Sequence, residues 1–275
     1  MKKKKRVLGT IIMILVTIFF YAPIVYMVIY SFNDSRSLTK FTGFSLQWYE
    51  KMFADNNMMS SLGYTILIAI LATVISTVVG TITAIGLSKS RKIMRNVIEQ
   101  VNELPIMNPE IVTAIGLLMF FSAVLPKNGL GFTTLLLAHI MFCIPYVILS
   151  IMPKLRTLNP NLAEAAMDLG ATPWQALTKV IVPQIRPGIV SGALIAFTMS
   201  FDDFVISYFV AGNGVSNISI TVYTMAKRVN PSINALSTLT LVILTVALVL
   251  MNVIPSLMEK RRKNGPKEGN PEIAE

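Results

Sequence analysis

Long apolar runs separated by short polar breaks set the plan of this chain. Predominantly apolar segments occupy 7–30, 62–87, 97–125, 132–152, 188–210 and 235–257. As helices rising about 1.5 Å per residue, each is long enough to cross a hydrocarbon core of about 30 Å. The pattern predicts an all-α integral membrane protein of six transmembrane helices, with 1–257 forming one transmembrane domain. The first run follows a basic head, Met1 to Arg6, as a signal peptide's would. It is too long for a signal h-region, and no small-x-small cleavage site follows it, so it reads as a retained span. The last stretch, 258–275, is a basic tail rich in Gly, Pro, Glu and Lys and is expected to be disordered.

Two segments break this pattern. The first half of the 97–125 run carries Glu99, Glu103, Pro105, Asn108, Pro109 and Glu110, so that part is expected to be broken or to line a polar cavity. The other is the polar-to-amphipathic loop 153–187, centred on Asn159 to Pro183, which reads as two short helices. Asn159 is a candidate N-cap with Pro160 at the first helical position, and Gly170 sits where a left-handed C-terminal residue belongs. Thr172 and Gln175 have capping-box spacing around Pro173, and Pro183 is expected to close the second helix. Both helices are too short to span a bilayer. Between the first two spans, Phe44 to Tyr49 with Met52 and Phe53 forms an aromatic cluster expected to be an interfacial helix.

Composition agrees with the membrane reading, since 53% of the 275 residues are hydrophobic and 14% charged. The net charge of +10 raises nucleic acid as a partner, and the distribution of charge removes it. Eighteen of the 24 Lys and Arg fall within 2–6, 89–95, 154–186 and 260–267, and the other six lie in the alternate loops. The positive-inside rule then places both termini and the 153–187 loop in the cytoplasm. Cys143, the sole cysteine, excludes an internal disulfide or a thiolate metal site and reads as a small buried side chain. His139 shares its apolar run. Without a titratable partner at helical spacing, it is expected to make a packing or interhelical hydrogen-bonding contact.

Within the loop, Glu164-Ala165-Ala166, then Gly170, then Val180-x-Val182-Pro183 resemble the EAA loop of ABC-importer permeases, with the spacing intact and Val at two aliphatic positions. Ser31-Phe32-Asn33, Gly43-Phe44-x-x-x-Trp48-Tyr49, Asn108-Pro109-Glu110, His139-Ile140-x-Phe142-Cys143-x-Pro145 and Ser200-Phe201-Asp202-Asp203 extend the resemblance over nearly the whole chain. They are similar to the C-type permease of bacterial spermidine/putrescine ABC importers. The resemblance implies a type I (MetI-like) importer fold in the cell membrane with a cytoplasmic coupling loop. It implies as partners a homologous second permease, an ATPase dimer docking on that loop, and an extracytoplasmic polyamine-binding protein, besides membrane lipids. The coupling residues it implies are Glu164, Ala165, Ala166, Asp168, Gly170 and Pro183. No GxxxxGK[ST] loop occurs, so the chain is expected to be non-catalytic and to bind no cofactor, with ATP and Mg on the partner.

The acidic residues carry the substrate argument. Polyamines are polycations, because alkyl amines titrate near the lysine value of about 10. A carboxylate in mid-bilayer costs roughly 2.5–3.5 kcal/mol on insertion scales, so Asp202, Asp203 and Glu110 are candidates for a cation path. Interhelical hydrogen bonding is the equal alternative for each. Adjacent helical residues point about 100° apart, so one aspartate can face the path while the other binds a neighbouring helix. Two other classes compete. An intramembrane aspartyl protease needs its two Asp on facing spans, and here they are adjacent. A proton-coupled transporter leaves the EAA spacing without a use. A type I permease for another small substrate stays open, although an oxyanion path would be lined by basic groups, which 188–210 lacks.

Overall fold

The computed structural model describes residues 2–37, 39–126, 129–212, 214–227 and 230–263, with side chains described from Gly9 to Val253. Helices dominate: α1 (Lys2–Tyr30), α2 (Gln47–Ala54), α3 (Asn56–Ser88), α4 (Lys92–Met107), α5 (Glu110–Val124), α6 (Phe132–Thr157), α7 (Leu162–Asp168), α8 (Pro173–Gln175), α9 (Val182–Asp202), α10 (Val205–Val210), α11 (Ile218–Lys227) and α12 (Ser232–Lys263). Among the described residues the only bridge outside helices is an isolated antiparallel one between Asn33 and Phe44.

Among the described residues, five helical stretches are long and apolar enough to cross a membrane: Gly9–Tyr30, Asn56–Ser88, Phe132–Thr157, Pro173–Asp202 and Ser232–Val253. The pair α4 and α5, bent by 103°, makes a sixth when taken as one span. The bend falls where the sequence expects a break. Pro109 has extended backbone (φ −56°, ψ 131°) immediately before α5, and the residue preceding a proline is itself biased away from helix. Glu110 consequently sits at this break, in the first turn of α5, and is exposed. A carboxylate there meets the positive end of a helix dipole.

The last span differs from expectation as well. The backbone of α12 continues to Lys263, past the expected end at Leu257. The remainder of the expected tail, 264–275, lies outside the described residues.

The chain forms two compact units. The first takes in the chain up to Ala72 together with Met107–Ile140 and Met199–Ile243; the second takes in Thr73–Ile106, Met141–Thr198 and the chain from Leu244. In the first unit, Trp48 and Met52 of α2 are buried with Met58, Ile218, Met225, Ala235 and Leu236. Trp48 therefore faces the core of this unit and not lipid headgroups. Its indole Nε1 donates to the Asn33 carbonyl at 2.7 Å, which satisfies the one polar atom of the ring and frees the rest for burial. Phe44 and Phe53 are the exposed members of that cluster.

In the second unit α3, α6 and α9 meet at Val147. A Cβ on Gly80 would lie 2.7 Å from the Val147 side chain, and one on Gly192 would lie 3.2 Å from its Cα. Small residues at these crossings let the backbones approach, as is common between membrane helices. Cys143 is buried there, its Sγ 3.5 Å from the Ala196 carbonyl.

Candidate functional site

Two interruptions of helix carry the sequence-predicted residues. The first lies in the second unit. Helix α7 begins at Leu162, two residues later than Pro160, because the Asn159 side chain accepts the Asn161 amide at 3.0 Å in a turn ahead of the helix. Its far end closes as the sequence predicts. Gly170 has φ +89°, its amide donates to the Met167 carbonyl at 2.9 Å, and the Ala171 amide reaches back to Ala166 at 3.0 Å. These are the two bonds of a Schellman motif. The capping box follows at once: the Gln175 amide donates to Thr172 Oγ1 at 3.3 Å and the Thr172 amide to Gln175 Oε1 at 2.9 Å.

The second short helix is not separate from the fifth span, and Pro183 does not end it. Pro173–Asp202 is one helical stretch, with a π-helical segment, Ala176–Ile181, between α8 and α9. The Val182 amide bonds to Leu177, five residues back. Pro183 has no amide hydrogen, and its ring would crowd the carbonyl four residues earlier in an α-helix. Widening the turn gives up that bond and admits the proline. Glu164, Ala165, Asp168 and Gly170 are exposed, with Ala166 and Pro183 half-buried. Leu169 and Trp174 are 90% and 71% exposed, an apolar pair on a segment in which α7 and α8 bury no residue.

The second interruption lies in the first unit, between α9 and α10, and separates the two aspartates. Asp203 is 8% exposed. Its Oδ1 accepts the Ile206 amide at 3.2 Å, and its Oδ2 accepts both the Ser207 amide and the Ser207 hydroxyl at 2.7 Å. It thus caps α10, satisfying amides that the break leaves without helical partners. His139, 2% exposed, places Nε2 3.0 Å from Ser207 Oγ and 3.4 Å from Asp203 Oδ2, with Nδ1 2.7 Å from Ser200 Oγ. The titratable partner missing at helical spacing is therefore supplied across the fold.

Asp202, the last residue of α9, is exposed. Its carboxylate has no hydrogen bond or ion pair among the described residues. Glu110 opens α5, the helix on which α10 packs.

Sequence reading missed the aromatic surface beside the break. Phe204 lies 4.9 Å from Tyr223 and 5.5 Å from Tyr208, ring centre to ring centre. The Lys227 ammonium sits 4.3 Å over the Tyr223 ring. A cavity of about 590 Å³ borders it, lined among others by Asp55, Ser61, Tyr64, Tyr208, Thr221 and Asn230. Asp203 stands one residue before the N-cap position, Phe204, so the amides it binds lie three and four residues on, one residue further than ordinary cap spacing.

Residues 76–264 match the family described as binding-protein-dependent transport system inner membrane component. The chain belongs to this family. It is a permease subunit of an ABC importer, a conduit and not an enzyme. This permease is 38% identical over 237 residues to the putrescine transport system permease protein PotI of Escherichia coli, covering 84% of each chain. It is 37% identical over 241 residues to the spermidine/putrescine transport system permease protein PotC of Haemophilus influenzae, covering 87% of the permease and 93% of that protein. Among solved structures it resembles a chain of a bacterial ABC transporter involved in import of the acidic polysaccharide alginate, with TM-score 0.69 and 17% identity over 96% of the permease and 99% of that chain. A second structure of a bacterial alginate ABC transporter, in complex with an alginate-bound periplasmic protein, gives 0.65 over 96% and 98%. At such identity the likeness speaks for the fold alone.

Proposed function

We propose that this permease imports polyamines, the substrates in the names of its relatives, and that Asp202 contacts the cation on its way. The observation that carries the reading is the exposed, unpartnered carboxylate at the C-terminal end of α9. A helix C-terminus bears about half a negative charge, so a carboxylate there is opposed by its own helix. An ammonium ion relieves that opposition and gains from both charges at once. Tyr223 adds a second argument. Its face already holds an alkylammonium, that of Lys227, the same group that ends a polyamine. Asp203, spent on capping α10, takes the interhelical role in this reading, and Glu110 stands as a further acidic group at the start of α5.

The coupling role falls to Glu164, Ala165, Ala166, Asp168, Gly170 and Pro183. In this reading Leu169 and Trp174 provide the apolar contact to an ATPase dimer, which holds ATP and Mg. A homologous permease completes the path, and a polyamine-binding protein docks on the opposite face. Both termini lie in the cytoplasm, following the distribution of Lys and Arg. The test is uptake of labelled putrescine and spermidine by the reconstituted complex with its loaded binding protein. Asp202→Asn should abolish most uptake of both while the complex still assembles and binds ATP. Normal uptake by that variant refutes the cation-path role.

A further inference from the structure

Two adjacent carboxylates stand at one helix break, and only one of them can cap α10. A further set of bonds decides which. Asn217, buried just before α11, donates from Nδ2 to the Asp203 carbonyl at 2.8 Å and to Ser207 Oγ at 2.8 Å, while its Oδ1 accepts the Ile220 amide at 3.0 Å. The roles of the other atoms then follow. Ser207 gives its hydroxyl proton to Asp203 Oδ2, so Ser207 Oγ is an acceptor toward Asn217 and toward His139. His139 Nε2 must therefore carry the proton, and a neutral ring accepts the Ser200 hydroxyl at Nδ1. Every polar atom of His139, Ser207 and Asp203 has a partner, from α6, α9, α10 and the start of α11.

We propose that His139 and Asn217 are positioning residues for import: they lock Asp203 into the cap of α10 and thereby leave Asp202 free at the end of α9. This rests on the reading of Asp202 given above. Without the lock, Asp202 competes for the same amides, one residue earlier along the chain, and the free carboxylate is lost to the cap. The contribution of His139 is a donor at one nitrogen and an acceptor at the other. Glutamine can supply both through its amide, and leucine neither.

The experiment uses the reconstituted complex in a Cys143→Ala background and reads two quantities. The first is polyamine uptake. The second is the labelling rate of a Met199→Cys thiol, one turn before Asp202 on α9, by a cationic methanethiosulfonate relative to a neutral one, which reports the potential set by the intact Asp202 carboxylate without any transport. His139→Gln should keep uptake within about twofold of wild type, whereas His139→Leu and Asn217→Ala should each lower it about tenfold, the scale of one lost buried hydrogen bond. In the last two variants the preference of position 199 for the cationic reagent should fall about fivefold as the Asp202 carboxylate is drawn into the cap, the upper range of a helix-end charge effect. Should His139→Leu fail to assemble, Asn217→Ser decides by the same two quantities. Loss of uptake with an unchanged preference at 199 overturns the lock, leaving the network as glue. Equal inactivity of the Gln and Leu variants also overturns it and makes the imidazole itself the working group. A fallen preference at 199 together with normal uptake by Asp202→Asn upholds the lock and refutes only the cation-path reading.

Discussion

The two helix interruptions solve the same problem by opposite means. At 168–173 every orphan amide is met from within a few residues, by the Gly170 turn and by the reciprocal Thr172–Gln175 box, and the segment stays exposed. At 203–204 Asp203 meets the amides three and four residues on, but the groups that hold this cap in place come from far along the chain: His139 is 61 residues from Ser200 and 68 from Ser207, and Asn217 is 14 from Asp203. The first break is a self-sufficient surface element that can move as a piece against a partner. The second is a buried junction that holds several elements at once. A locally capped break suits an element that passes on motion, and a distantly capped one suits a fixed point on a path.

The sharpest way to break the comparison is to remove the cap that the distant residues hold. Asp203→Ala should destabilise the permease by about 3 kcal/mol, because it leaves the Ile206 and Ser207 amides and the Ser207 hydroxyl buried without their acceptor. Asp202→Ala should change stability by less than about 0.5 kcal/mol, as expected of an exposed side chain. Thermal unfolding of the two variants in detergent measures the difference. Equal shifts would mean that the two carboxylates are not divided between cap and path.

Next in size is Gly170→Leu. Its backbone at φ +89° costs a branched L-residue roughly 1–2 kcal/mol, whereas nothing lies within 4 Å of a Cβ at that point. The cost is therefore conformational, and Gly170→Asn should be tolerated better than Gly170→Leu. Transport and substrate-stimulated ATP hydrolysis should fall together in the Leu variant with insertion intact. Wild-type uptake by that variant would remove 159–183 as the lever. Thr172→Ala should be milder, about 1 kcal/mol of local helix stability, visible as faster amide exchange at Gln175 and Ala176.

What the sequence could and could not reveal divides along the same line. Gly170, Thr172 and Gln175 were legible because a cap and its partner lie within a few residues, so spacing alone specifies the bond. The break near Asn108-Pro109 was legible for a similar reason, since proline acts on its immediate neighbour. His139 was read as lacking a titratable partner because the search ran along one helix, while Asp203 reaches it from another. Trp48 was misplaced because amphipathic aromatics look alike in sequence whether they face headgroups or donate into a buried loop. The two aspartates could be told apart in principle, by their 100° separation, but not assigned. The assignment depends on Asn217 and His139, which carry no local signature of that role.

A small expected effect on stability, and the change that most sharpens the contrast, belongs to Pro183. Proline was read as a terminator, yet the helix runs on, because the π segment before it has already given up the four-residue bonding that a proline disrupts. Pro183→Ala restores an amide at 183, which can bond the Lys179 carbonyl and let Ala176–Ile181 relax toward α-helix. Removing one residue's worth of widening turns α7 and α8 by about 100° relative to α9. The fold should scarcely notice, since one bond is gained and the turn tightens, with unfolding shifted by less than about 1 kcal/mol. Coupling should notice, because the exposed pair Leu169 and Trp174 would face elsewhere. The expected result is ATP hydrolysis that persists while fewer polyamine molecules enter per ATP consumed, measured in proteoliposomes from labelled substrate and released phosphate. A ratio equal to wild type would show that the π segment merely accommodates its proline and that the aim of the coupling helices does not depend on it.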